Sequence, residues 1–494
     1  MMLRRTTVVL TSILAMLLST AQGAQAHGGG GFSPGAPGIG DAYYPLDGNG
    51  GYDVRHYDLD IGYTPATDVL TGVATISARA TQNLSAFNLD FEGLTIRSLT
   101  VDGKAAAYTR NGGELTVTPR HGLRKGRGFT VVVRYDGVPQ TIDDPNLGLT
   151  GIFHTDDGMI MAGQPDVAAT WYPVNDHPKD KASYTIRTTV PEGLEVVSNG
   201  ALTGTKTRRG LTTWTWDAPE PMASYLVTVN VGQFDITSYR SGGIRYWDAV
   251  DPDLPGSSYG PFIKSAFDRH PEINGFLADV FGPYPFRTSG GIVDDMEGLG
   301  FALETQTRPI YSKYFFTSAD NGAGVVVHEL AHQWYGDSLA VGRWQDIWLN
   351  EGFATYAEWL WTEHEGQGTP QQIFDASYAD FPADHPFWQL KIGDPGPVNL
   401  FDYPVYLRGA MTLQVLRNRV GDDAFFRIVR GWAQTRKGDN VTTPEFIAFA
   451  ERVSRQQLDD LFDTWLFTPG RPEVASPARA SADSAAPAAP ELRR

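Results

Sequence analysis

"NGAGVVVHELAHQWYGD", residues 321–337, is the stretch on which the reading of the whole chain turns. It holds no proline and reads as a buried helix. His328 and His332 stand four apart, so on a helix they share one face, one turn above the other. Both imidazoles can then aim a ring nitrogen at one point, with Glu329 beside it. This is the H-E-x-x-H pattern, in which two histidines bind zinc and the glutamate serves as general base. At this chain's histidine and glutamate content, roughly one chain in a hundred would carry the pattern by chance, so neighbouring residues must decide.

A catalytic zinc needs a third protein ligand and an open position. The segment "RWQDIWLNEGFATYAEWLWTEHEG", residues 343–366, supplies Glu351 after eighteen intervening residues. Its periodicity predicts a second helix antiparallel to the first, and a connection of about ten residues can return Glu351 to the metal. Trp348, Leu349 and Phe353 flank it, which places it in an interior. The predicted ligands of one zinc ion per chain are His328, His332 and Glu351.

Outward from this pair of helices the texture changes once. Residues 52–238 are almost purely β. In "HYDLDIGY" Tyr57, Leu59, Ile61 and Tyr63 alternate with polar or small residues, "FTVVVRY" and "YLVTVNV" behave alike, and Asn199-Gly200 reads as a hairpin turn. From about 240 onward helical periodicity recurs, around 257–282, 319–336, 346–364, 406–420, 423–436 and 443–467. The expected fold is α+β and multidomain: an N-terminal antiparallel β-sandwich over 52–238, then a mainly α-helical catalytic domain over 239–472.

The ends read differently. Residues 1–26 have the build of a secretory signal: Arg4 and Arg5, the short apolar run "VVLTSILAMLL", and small residues at Ala24 to Ala26. Cleavage after Ala26 would remove two arginines and no acid, taking the net charge from −17 to −19. Residues 27–51 are Gly/Pro-rich and read as a flexible leader, and 473–494 as a disordered Ala/Pro tail. The acidity excludes nucleic acid and anionic membrane as natural partners. There is no cysteine, so a metal site must use nitrogen and oxygen, and an exported chain must depend on core size rather than disulfides. A secreted monomer is expected.

"HELAHQWYGD" and "WLNEGFATY", with "FGPYPF" just upstream and a β domain of the right size before them, resemble the gluzincin zinc aminopeptidases, the aminopeptidase N and leukotriene hydrolase family. The resemblance spans roughly residues 45–470 and implies a thermolysin-like catalytic domain that removes N-terminal residues from peptides with a free amine. The family's G-x-M-E-N glutamate, which holds that amine, has no clean copy here. "GFALETQT" offers Glu304, 24 residues before His328, and "DDMEG" offers Glu297; Glu304 is the better match. Gln164, in "MAGQPDVAATWYP", matches a second amine-binding residue. The family's tyrosine before x-Lys-Gly, an oxyanion partner, matches Tyr406 in "YLRG", with Arg408 replacing lysine; Tyr403 stands nearby. The resemblance ends near 472, short of the further helical domain of longer members. Two rivals remain. A thermolysin-like endopeptidase would share the metal spacing, and a catalytically idle secreted binding protein would have no use for Glu329.

Overall fold

The alternation read at residues 57–63 does set the first long strand. In Tyr52–Thr64 the side chains of Tyr57, Leu59, Ile61 and Tyr63 are all at most 3% exposed, with polar neighbours facing out. The computed structural model describes residues 31–146 and 148–474, so the expected signal at 1–26 and all but the first two residues of the expected tail lie outside the described residues. From Phe32 onward these residues belong to one compact unit.

Tyr52–Thr64 sits in the middle of an eight-stranded sheet, between Ala182–Pro191 and Val69–Ala80. The sheet is not wholly antiparallel as expected. Ala182–Pro191 runs parallel to Tyr52–Thr64, with Ile186 opposite Leu59. The chain between them travels through two other sheets, which gives the long crossover that parallel pairing needs. One of these has five strands: Thr141–Asp144, Gly148–His154, Met159–Ala162, Val229–Gly232 and Glu195–Ser198. It forms one wall of the cleft described below.

Asn199-Gly200 does not make the predicted hairpin. Glu195–Ser198 pairs with Val229–Gly232, whereas Ala201–Arg208 pairs with Leu211–Met222, so the turn passes the chain from one sheet to another. The Asn199 amide donates to the carbonyls of Leu226 and Gln306 at 2.8 and 2.9 Å. Gly200 has φ +74° and lies against the Asp217 backbone, where a Cβ would stand 2.2 Å from a carbonyl oxygen.

The leader expectation also fails for residues 32–51. Asp41 is 5% exposed and Asn49 fully buried. The Asp41 carboxylate lies 3.1 Å from His177 Nε2 and accepts the Trp344 backbone N–H at 2.9 Å. A Gly/Pro-rich composition signals turns, but here these buried polar anchors fix them.

In the second half, the expected boundary at 238/239 falls inside the strand Asp235–Ser241, which forms a hairpin with Ile244–Val250. Ile292–Asp294 and Ile310–Ser312 extend that sheet in parallel. These strands went unread because each is only three residues long and buried throughout, with no inside–outside alternation to read. The helices follow: α1 (Gly260–Phe267), α2 (His270–Phe281), α3 (Ala319–Ala331), α4 (Trp348–His364), α5 (Pro370–Asp380), α6 (Tyr403–Val420), α7 (Asp422–Thr435), α8 (Thr443–Ser454) and α9 (Asp459–Phe462). Only α5, a helix capped by Thr369 and Gln372, was not expected. The architecture is thus a β-rich part followed by a helical part. A small apolar cluster that includes Ala162, Leu303 and Ile310 binds the five-stranded sheet to the second sheet. Among the described residues no helix is long and apolar enough to cross a membrane.

Candidate metal centre

α3 is held at its start by Ser318, whose hydroxyl accepts the Asn321 N–H at 3.1 Å. Its last turn carries His328 and Glu329. His332 follows with helical dihedrals, and its N–H donates to the His328 carbonyl at 3.2 Å. The i, i+4 spacing read from the sequence is therefore real geometry. α4 is buried nearly all round, the mark of a central helix. Glu351 lies in its first turn.

α4 gets its position from glycine. Gly352 on α4 meets Gly409 on α6, and a methyl group at Gly352 would stand 2.9 Å from the Gly409 Cα. The two helices touch backbone to backbone. This contact puts Tyr406, one turn before Gly409, over the metal-ligand pair: its ring stacks on His328 with centroids 6.0 Å apart and planes 27° from parallel. Arg408 points elsewhere. Its guanidinium donates to the carbonyls of Trp388, Leu390, Thr464 and Thr468 at 2.8–3.1 Å, tying α6 to the C-terminal segment.

His328, His332 and Glu351 come together, each at most 3% exposed. Both imidazole Nε2 atoms lie 3.4 Å from the same oxygen of Glu351. That spacing fits zinc: ligands about 2.0–2.1 Å from a tetrahedral centre lie about 3.3–3.4 Å apart. The outer ring nitrogens are also fixed. His328 Nδ1 is 2.6 Å from Glu358 Oε1, and His332 Nδ1 is 2.9 Å from the Tyr335 carbonyl, which leaves both Nε2 atoms for a metal. Glu358 was missed in the sequence. The signal was present: it stands seven residues after Glu351, two turns along the same helix.

The electrostatics favour a cation at the centre. Burial alone would push His332 down, but Glu304 and Glu351 raise it to about 9. His328 is likewise held well above its usual range, against burial, by Glu351 and Glu358. Burial raises Glu351, yet His332 and His328 bring it down to about 2. Burial pushes Glu329 up to about 8 and also raises Glu304.

Glu304 reaches the same place. Carboxylate and imidazole atoms of Glu304, Glu329 and His332 lie within 4.8 Å of one another. Tyr225 donates to Glu304 at 3.0 Å, and Gln333, next to His332, donates to the Glu304 carbonyl at 3.2 Å and accepts the Thr307 N–H at 2.7 Å. Glu297, the other candidate, is at the surface, paired with Lys313 at 3.0 Å and bonded to Tyr314. A cleft of about 690 Å³ joins His328, Glu329, His332, Glu351, Glu304 and Gln164, with Tyr403 and Tyr406 also lining it. The Gln164 Nε2 is buried without a hydrogen-bond partner.

Residues 293–465 match the peptidase family M1 domain, and residues 54–226 match the peptidase M1 N-terminal domain. The chain is 26% identical over 462 residues to a glutamyl aminopeptidase of Bos taurus, covering 84% of this chain and 46% of that protein. It is 25% identical over 414 residues to a probable aminopeptidase 2 of Sulfurisphaera tokodaii, covering 78% and 50%. A solved M1 zinc metallopeptidase variant from Deinococcus radiodurans, bound to a Tyr-Ser-Ala substrate, superposes with a TM-score of 0.79 at 28% identity, covering 89% of this chain and 99% of that one. The chain spans about half the length of the curated relatives it matches.

Proposed function

This chain belongs to the M1 peptidase family, and on that premise we propose that it is a zinc aminopeptidase that removes one residue at a time from peptides with a free N-terminus. The observation that carries this reading is the placing of Glu304, a buried carboxylate outside the metal-ligand set, within 4.8 Å of Glu329 and His332. An endopeptidase has no task for it. A substrate ammonium does, because a buried cation needs carboxylate or amide oxygens around it.

His328, His332 and Glu351 would hold the zinc. Zinc in such a site supplies Lewis acidity, which activates water at neutral pH and polarises a carbonyl. Glu329 takes a proton from the attacking water and returns it to the leaving nitrogen. The Tyr406 hydroxyl donates to the oxygen that gains charge in the transition state. Glu304 and the Gln164 amide, which can turn either its oxygen or its nitrogen to a ligand, hold the N-terminus. Glu358 and the Tyr335 carbonyl keep the imidazoles in the tautomer that faces the metal.

The test uses aminoacyl coumarylamides with free and N-acetylated amines, with and without chelator. Free-amine substrates are cleaved, acetylated ones are not, and chelator stops the reaction. Cleavage of acetylated substrates at a comparable rate contradicts the reading. We also propose that residues 1–26 direct export and that the mature chain acts as a monomer outside the cell. N-terminal sequencing of protein from the medium, beginning at His27, supports the first; light scattering tests the second.

A further inference from the structure

Glu304 can hold a substrate amine for the metal only if its carboxylate stands at a fixed distance from the metal ligands. The loop that carries it is held by two other parts of the chain. Residues 304–308 turn on themselves, with the Arg308 N–H donating to the Thr305 carbonyl at 2.9 Å. Within the turn Thr307 has φ +70°, left-handed backbone that a β-branched residue rarely adopts. It is 2% exposed. Such a conformation persists only where the surroundings over-determine it, and it collects at ligand clamps.

One hold comes from the metal helix. Gln333 follows His332 directly and is fully buried. Its side chain spans the loop: Oε1 accepts the Thr307 N–H at 2.7 Å, and Nε2 donates to the Glu304 carbonyl at 3.2 Å. An amide turned the other way would set donor against donor and acceptor against acceptor, so its orientation is fixed. The other hold comes from the β-rich part, at the Asn199-Gly200 turn. The Gly200 N–H donates to Thr307 Oγ1 at 2.8 Å, and the Asn199 amide donates to the Gln306 carbonyl at 2.9 Å. Tyr225, which donates to Glu304 Oε1 at 3.0 Å, fixes the rotation of the carboxylate. Of these contacts, that of Gln333 alone runs straight to a metal ligand, through one peptide bond.

Resting on the aminopeptidase reading above, we infer that Gln333 is the positioning residue that sets the span between Glu304 and the zinc ligands, and so fixes which peptide bond of the substrate meets the metal. Two hydrogen bonds from one rigid amide leave the Glu304 backbone little freedom to slide along α3. A displacement of about 1 Å at such a span can cost about a hundredfold in rate.

The experiment uses two inhibitors, leucine hydroxamate and its desamino analogue isocaproyl hydroxamate. Both put a hydroxamate on the zinc, and only the first carries the amine that Glu304 holds. Their inhibition constants are measured on the zinc-loaded wild type, Q333M, Q333N, E304A and the double variant Q333M/E304A, with kcat and KM for Leu-coumarylamide. Q333M has the length of glutamine without its hydrogen bonds. Q333N keeps an amide but is a methylene short of spanning both partners, and it carries the test if Q333M does not fold. Both variants should keep one zinc per chain and the wild-type affinity for isocaproyl hydroxamate. The advantage of leucine hydroxamate should fall about tenfold or more, the worth of a hydrogen-bonded charge that has lost its place. kcat/KM should fall about ten- to a hundredfold, with KM rising. In the E304A background Q333M should lower that advantage no further, because Gln333 acts through Glu304. Folded Gln333 variants that keep the wild-type advantage, that weaken both inhibitors equally, or that add their loss to that of E304A overturn this inference and leave the aminopeptidase reading intact. A wild type that cleaves no free-amine substrate overturns the aminopeptidase reading, and this inference with it.

Discussion

Glu329 sits between two metal ligands and beside a third carboxylate, Glu304. A group so placed can move a proton at the reacting water without binding the metal itself. E329Q should keep stoichiometric zinc and the wild-type melting temperature while kcat falls about a hundredfold to ten-thousandfold; a near-normal rate in that variant would remove Glu329 from the mechanism. Glu358 acts through His328, 2.6 Å away, and is a positioning residue. E358Q should weaken zinc affinity about ten- to a hundredfold, read by competition with a chelating dye, and excess zinc should restore much of the rate. Unchanged affinity would make the contact merely structural. At this scale the sequence was informative for residues with fixed spacing: two histidines four apart and a glutamate eighteen residues on. Glu304 and Gln164 are brought together by the apolar cluster of Ala162, Leu303 and Ile310, a long-range contact that no local pattern records. For them only family resemblance pointed the way.

The helices that carry the site depend on close approach. Gly352 and Gly409 let α4 and α6 touch, and a Cβ on Gly409 would stand 2.7 Å from the Gly352 Cα. Backbone cannot yield as a flexible side chain can, so G352A should cost about 1–3 kcal/mol in urea denaturation with an unchanged m value. It should also lower zinc affinity, because Glu351 is its neighbour. G324A on α3 is the control. No atom lies within 4 Å of a Cβ there, and replacing a helix-interior glycine should leave stability unchanged or raise it by up to about 1 kcal/mol. A G352A variant as stable as wild type would show that the helices have slack. The long periodic helices were legible because each keeps an apolar face over several turns. The three-residue strands at 292–294 and 310–312 and the false hairpin at Asn199-Gly200 were not. A short buried strand has no period to read, and a turn motif does not say whether its flanking strands pair.

Three parts of the chain meet at Asp41: its own N-terminal segment, His177 of the β-rich part and the Trp344 N–H just before α4. Burial raises this carboxyl, but the His177 contact and the backbone N–H donors hold it down at about 2, below its ordinary 3.8. A depressed acid stabilises the fold above its unfolded value, and that contribution is lost as pH falls through the folded one. Relative to D41N, the wild type should therefore be more stable by on the order of 2 kcal/mol above pH 4, and the gap should close between pH 4 and 2. A constant gap in chemical denaturation across that range would mean that the contacts act by shape alone. Composition hid this anchor, because Gly and Pro around Asp41 read as a loose leader while its partners lie 136 and 303 residues away. The broad division into strands and then helices was legible, because period 2 gives way to period 3.6 along the chain. The most direct test of the central claim is anomalous diffraction at the zinc edge from crystals of the purified protein. One peak per chain about 2.0–2.2 Å from the Nε2 atoms of His328 and His332 and a carboxylate oxygen of Glu351 is the predicted result. No peak there, or a peak ligated by other residues, would contradict the account.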